Sequence, residues 1–178
     1  MLSSNDEKSL IDLAKSFPDS SEFINRIEKL FPSSCTEIQN ANFFQEIGYI
    51  LFCYSFFKHA LFVWQHALKY FINLSDRTGE GRCYGYLGFV YYNLGDFRKA
   101  IEYQEKSLDV AIQIGDKQIE GSCYIKLGLI YYVFGDFRKS IEYHEKSLGI
   151  FQQIDDKQNE GLNKQSEGLC FLNLGFAY

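Results

Sequence analysis

Residues 76–115, DRTGEGRCYGYLGFVYYNLGDFRKAIEYQEKSLDVAIQIG, lie over residues 116–155, DKQIEGSCYIKLGLIYYVFGDFRKSIEYHEKSLGIFQQID, without a gap. Of the 40 aligned positions 23 are identical, which marks an internal repeat. Shifting back by another 40 residues places 36–75 in the same frame. Identity is sparse there, but Gly48 falls on Gly88, Ala60 on Ala100, Leu68 on Leu108 and Asp76 on Asp116.

Each repeat unit reads as two helices. Tyr84, Leu87, Gly88, Tyr91 and Tyr92 recur at i, i+3, i+4, i+7 and i+8, an apolar stripe along a first helix. Leu94-Gly95-Asp96 breaks that pattern, with glycine for the turn and Asp96 as the expected N-cap. A second stripe follows at Phe97, Ala100, Ile101 and Leu108, with Glu102 and Lys106 in the favourable i, i+4 order. Gly115-Asp116 ends that helix and caps the next. Gly88 and Gly128 sit inside helices, at a cost of about 1 kcal/mol each relative to alanine. Close approach of the paired helix explains them, with Ala100 and Ser140 expected opposite. Such helix pairs bury their faces only by stacking, which makes a solenoid.

These residues resemble a family. L-G-x-x-Y at Leu87, Gly88 and Tyr91, G-D-F at 95–97, then Ala100 and Leu108 match the tetratricopeptide repeat. The usual unit has about 34 residues and ends in proline, whereas this one has 40, a prolonged second helix and no proline. The unit resembles the 40-residue subclass of the LGN/Pins/activator-of-G-protein-signalling family and the arrays of tetratricopeptide repeat protein 28-like proteins. The resemblance implies an all-α fold, a right-handed α-solenoid of antiparallel helix pairs.

Composition narrows the function. Hydrophobic residues at 46% argue against disorder. Eighteen Lys+Arg against 23 Asp+Glu, a net charge of −5, disfavour nucleic acid. The apolar stretch 48–64 is interrupted by Lys58 and His59, falls short of a spanning helix and belongs to the first repeat, so no membrane insertion is expected. The first 20 residues are charged throughout, without a secretory apolar region. Five cysteines without a C-x-x-C pair then suit reduced thiols in a cytoplasmic protein.

No catalytic constellation is visible, and neither a cofactor nor a metal is expected. His59 and His66 align with Lys99 and Lys106, so surface polar positions explain them better than metal ligation. Cys83 and Cys123 share one repeat position and pair with no base, which suits small packed residues. The expectation is an interaction scaffold, not an enzyme.

The array ends are treated separately. Residues 1–35 are expected to form two short capping helices, with apolar runs Leu10/Ile11/Leu13/Ala14/Phe17 and Phe23/Ile24/Ile27/Leu30/Phe31 punctuated by Pro18 and Pro32. The solenoid is expected over 36–178, as repeats 36–75, 76–115 and 116–155 and an incomplete repeat 156–178. Glu167 to Gly175 resembles Glu120 to Gly128 but lies 47 residues later. Phe171, Leu174 and Tyr178 would then be uncovered, and self-association through them is the alternative role.

In the resembled family the first helix of each repeat lines a concave face. Carried over, that face presents Asn42, Gln45, Tyr49 and Phe52, then Arg82, Tyr86, Phe89, Tyr92 and Asn93. The third repeat adds Ile125, Lys126, Leu129, Tyr132 and Val133, and the last Asn173. LGN-like arrays commonly place asparagines where Tyr86, Phe89, Lys126 and Leu129 stand here. The implied partner is a protein or peptide segment, in G-protein or cell-polarity signalling by that resemblance. An apolar face of this kind is either an open groove or already filled, and exposed apolar patches favour the groove. Tyr49, Phe52, Phe89 and Tyr92 are expected to be surplus to the core, with Arg82 and Lys126 as polar anchors.

Overall fold

The turn chemistry recurs every 20 residues, and the helices follow it. In the computed structural model, which describes residues 4–18, 20–29 and 36–155, three helix pairs repeat in one register. They are α3 (Glu37–Cys53) with α4 (Phe57–Asn73), α5 (Arg77–Asn93) with α6 (Phe97–Ile114), and α7 (Lys117–Val133) with α8 (Phe137–Asp155). Two shorter helices precede them, α1 (Ser4–Ser16) and α2 (Ser20–Glu28). The architecture is an all-α solenoid: each pair packs on itself, and α4 on α5 and α6 on α7 join the pairs.

Each turn uses the same local chemistry. The residue after the last helical turn adopts a left-handed backbone, at Gly95 (φ 79°), Gly115 (71°) and Gly135 (79°). There the Gly95 N–H donates to Tyr92 O and the Asp96 N–H to Tyr91 O, closing the preceding helix. The next residue starts the following helix: Asp76, Asp96, Asp116 and Asp136 each accept the N–H three residues on, at 2.9–3.2 Å. The first repeat departs from this chemistry. Ser55 and Ser75 occupy the left-handed position at φ 64° and 55°, and Phe56, at the N-cap of α4, supplies no side-chain cap. Thr36 and Gln39 form a reciprocal capping box at the start of α3.

Inside each pair, a glycine of the first helix receives a large side chain from the second, 16 residues later in every repeat. A Cβ on Gly48 would overlap the Trp64 indole, with Cδ1 and Cε2 at 2.6 Å. On Gly88 it would meet Gln104 Nε2 at 2.7 Å, and on Gly128 His144 Cε1 at 2.6 Å. This corrects the expectation of Ala100 and Ser140 opposite the glycines. Those small residues are buried, but the space over each glycine holds the bulky residue one turn further along. Trp64 Nε1 donates to Gln45 O at 3.2 Å and Gln104 Nε2 to Gly85 O at 2.9 Å, tying the helices at one register. Ser107 and Ser147 hydroxyls add bonds to Gly81 O and Gly121 O, at 2.7 and 2.8 Å.

His59 and His66 are not free surface positions. His59 Nε2 lies 2.8 Å from Phe17 O, and its ring stands edge-on to Phe23. His66 Nε2 meets Glu28 Oε1 at 2.8 Å. The reason is coverage: α2 packs on α4, so positions exposed as Lys99 and Lys106 in the next repeat are overlaid here. Leu10, Ile11, Ala14, Phe23, Ile24 and Ile27 join the core of the first repeat through these helices.

Two predictions follow from local geometry. A β-carbon in left-handed backbone costs about 1–2 kcal/mol, partly offset by glycine's greater unfolded-state freedom. Ser75→Gly should therefore raise stability by about 0.5–1 kcal/mol in urea unfolding, and Gly95→Ser should lower it by a similar amount. The second concerns His144, whose burial without a compensating charge pushes its pKa from 6.5 down to about 4. The unfolded chain then takes up a proton before the folded one does. Stability from this group is complete above pH 6.5 and is lost as pH falls towards 4, by up to about 3 kcal/mol. His144→Gln, which copies Gln104 of the preceding repeat, should remove that component of the pH dependence of unfolding.

Candidate functional site

The first helices α3, α5 and α7 run side by side along one face, with α5 directly against α7. Two concavities open there. One, of about 610 Å³, is lined on α3 by Gln39, Asn42, Gln45, Glu46 and Tyr49 and walled by Tyr86 of α5. The other, of about 230 Å³, lies between α5 and α7, lined by Arg82, Tyr86, Gln118, Ser122 and Lys126, with Ser107 of α6 and Cys123 at its base. Tyr86 walls both, so they form one continuous surface.

Tyr86 is held from beneath. The Trp64 indole lies across Gly48 and stacks on the Tyr86 ring, centroids 4.8 Å apart and planes 14° from parallel. Burial raises the pKa of the Tyr86 hydroxyl, with Arg82 acting in the opposite sense. Phe89 stacks with Tyr92 and meets Phe52 at 5.0 Å, and Tyr92 continues to Phe97. Phe52, Phe89 and Tyr92 are half-buried in this ring-to-ring wall, whereas Tyr49 is 58% exposed. Of the four aromatics expected to be surplus to the core, only Tyr49 stands clear of it. The side chains offered at the two concavities are therefore mainly polar, and the aromatic supply is spent largely on joining repeats.

The remaining positions divide by where their helices turn them. Asn42, Gln45, Tyr49 and Tyr86 meet at the larger cleft, and Arg82, Tyr86 and Lys126 at the smaller. Leu129 packs against a small void with Phe89, Tyr92 and Gln104. Ile125 does not reach the face. It is 7% exposed and packs on the fully buried Phe151, because its helical angle points it at α8. Asn93, Tyr132 and Val133 are exposed at the helix ends, outside both concavities. Asn173, Phe171, Leu174 and Tyr178 lie outside the described residues. Gln39 and Gln118 were not foreseen as lining residues. Gln118 stands one helical turn before Ser122, a spacing that signals a shared face.

The Cys83 and Cys123 thiols are buried, whereas Cys53 is exposed. Burial pushes Cys83 up to about 12, with Gln45 and Arg82 only partly opposing it. Cys123 is raised by burial in the same way, and its Sγ lies 3.1 Å from Ser107 Oγ. Among the described residues no three His, Cys, Asp or Glu side chains gather as a metal site. No helix among them is long and apolar enough to cross a membrane.

Residues 80–153 match the tetratricopeptide repeat family. No curated protein matches the sequence. Among solved structures, the chain is similar to BtubC (BKLC) from P. vanneervenii, at 20% identity and TM-score 0.72, over 94% of this chain and 65% of that one. It is also similar to a signal-transduction ATPase with numerous domains and a tetratricopeptide repeat sensor from Pyrococcus horikoshii. There the identity is 21% and the TM-score 0.72, over 96% of this chain and 25% of that one. The Rap conjugation gene regulator of plasmid pLS20, solved in complex with a peptide, shares 15% identity over 97% of this chain and 51% of its own, at TM-score 0.62. This chain thus spans less than two thirds of the length of each of the three, and at these identities the likeness is one of fold. The residues that match this family, 80–153, lie within an all-α solenoid of helix pairs.

Proposed function

We propose that the chain is a non-catalytic scaffold that holds an extended segment of a partner protein along the face of α3, α5 and α7. The observation that supports this most directly is the 610 Å³ cleft, where the exposed Tyr49 stands beside Asn42 and Gln45, with Tyr86 as its wall. An extended peptide leaves its backbone N–H and C=O groups unpaired. Asparagine and glutamine side chains offer a donor and an acceptor each, which suits them to such a ligand. An exposed tyrosine adds apolar contact area at small cost in side-chain freedom.

The fold of this chain is shared with a Rap regulator whose structure was solved with a peptide bound, which supports a peptide as the ligand class. The resemblance to LGN/Pins and activator-of-G-protein-signalling arrays extends the proposal to a partner in G-protein or cell-polarity signalling. Tyr86, Phe89, Lys126 and Leu129 replace the asparagines of those arrays, so the ligand contacts differ from the family's.

Selection of random twelve-residue peptides on the purified chain tests the reading. Peptides enriched on the native chain should bind at least tenfold more weakly to Asn42→Ala combined with Tyr49→Ala, a loss typical of a central tyrosine contact. Both residues are exposed, so the melting temperature should stay nearly constant. Unchanged affinity in the double variant would place binding elsewhere on the molecule.

A further inference from the structure

We propose that one long edge of the solenoid rests on an anionic phospholipid surface, with exposed rings in the headgroup layer and lysines and arginines on the lipid phosphates. The edge is made of the turns inside the three helix pairs, α3 to α4, α5 to α6 and α7 to α8. Its residues line neither concavity, so the inference is independent of the peptide-binding reading.

One pattern builds each turn. Tyr54, Leu94 and Phe134 share one repeat position, and Phe57, Phe97 and Phe137 another. Cations follow at once, as Lys58, Arg98-Lys99 and Arg138-Lys139. Tyr54 and Leu94 are exposed, and so are Phe134 and Phe137, by 56% and 50%. The turns join into a continuous strip. Phe56, Phe57 and Lys58 share a hollow of about 520 Å³ with Leu94 of the next repeat, and the Phe97 ring meets the Phe134 ring edge-on at 5.7 Å. A contiguous exposed apolar strip marks an interaction surface.

Shape and charge select the partner. A Cβ on Gly95 or Gly135 would meet no atom within 4 Å, so these turn tips project into open space and enclose no groove. A projecting edge suits a flat surface. Residues 54–58, 94–99 and 134–139 hold five lysines and arginines against two aspartates, the reverse of the balance in a chain of net charge −5. Both aspartates are already engaged. Asp96 and Asp136 accept the N–H of Lys99 and Lys139 as helix caps, and lie 3.3 and 3.7 Å from the same lysines' ammonium groups. Lys58 and Arg98 make no ion pair among the described residues, and Arg138 meets Glu142 only at 3.5 Å, on an exposed side chain. Rings interleaved with cations suit an anionic bilayer: apolar area leaves water, and each cation near the surface strengthens binding about fivefold. The acidity of the rest of the chain opposes other orientations. Contact is peripheral, through turn residues and not through a spanning helix.

Flotation of the purified full chain with lipid vesicles tests this. The chain should float with phosphatidylcholine vesicles containing about one third phosphatidylserine and not with phosphatidylcholine alone, and binding should fall at least tenfold in about 0.5 M NaCl. Arg98→Gln with Arg138→Gln should weaken it about twentyfold, and Phe134→Ser with Phe137→Ser about tenfold. All four positions are exposed, so helicity by circular dichroism should be unchanged. Ile72→Ser with Ile112→Ser, exposed towards the other ends of α4 and α6, should alter binding less than about twofold, as should Asn42→Ala with Tyr49→Ala on the peptide face. Absence of flotation, equal flotation with phosphatidylcholine alone, or loss on the arginine changes without loss on the phenylalanine ones would overturn the inference. Tighter binding of polyglutamate than of vesicles, weakened by the same substitutions, would also overturn it and give the edge to an acidic protein. None of these results bears on peptide selection, so the two readings stand or fall separately.

Discussion

The contact on which the rest depends is the bare backbone of a first-helix glycine pressed against a bulky side chain of the second helix. Gly48 takes Trp64, Gly88 takes Gln104 and Gly128 takes His144. Glycine in a helix interior is unfavourable by about 1 kcal/mol, so each repeat accepts a local cost in exchange for close packing. The three receiving residues differ in chemistry, yet each is buried. What the positions share is the absence of a Cβ and the volume that fills its place.

The same contact builds the site. Trp64 passes beneath Gly48 and supports Tyr86 of the next repeat. Gln104 passes beneath Gly88 and reaches the small void it shares with Phe89, Lys126 and Leu129. The side chain that locks one pair thereby also props the outer face of the neighbouring first helix. This gives a physical link between repeat packing and ligand binding: residues that never touch a ligand set the position of those that do.

The sequence made the periodic parts of this fold legible because they depend on local chemistry. An aspartate after a glycine names a turn, a left-handed residue and a helix start together, and Gly95-Asp96 does all three. The apolar stripes likewise reveal which side of a helix is buried. Register between helices is another matter. Ala100 and Ser140 were reasonable neighbours for Gly88 and Gly128 on size alone, but the residue that fits depends on the axial offset of two packed helices. His59 and His66 looked like surface residues for a similar reason: repeat alignment describes a middle unit, and α1 and α2 cover the first one. The predicted apolar groove changed character because Phe52, Phe89 and Tyr92 spend their rings on each other, leaving Asn42, Gln45, Arg82 and Lys126 to line the concavities.

Unfolding free energies of Gly48→Ala, measured with Trp64 present and in a Trp64→Leu background, test this account most directly. With the indole in place, the added methyl has no room and should destabilise by about 1–3 kcal/mol. With leucine there instead, the clash is relieved and the same change should be neutral or stabilising by up to about 1 kcal/mol, the helix propensity gained. A reversal of sign between backgrounds is the expected result. An equal effect in both would show that the glycine does not serve the helix contact, and would contradict the account.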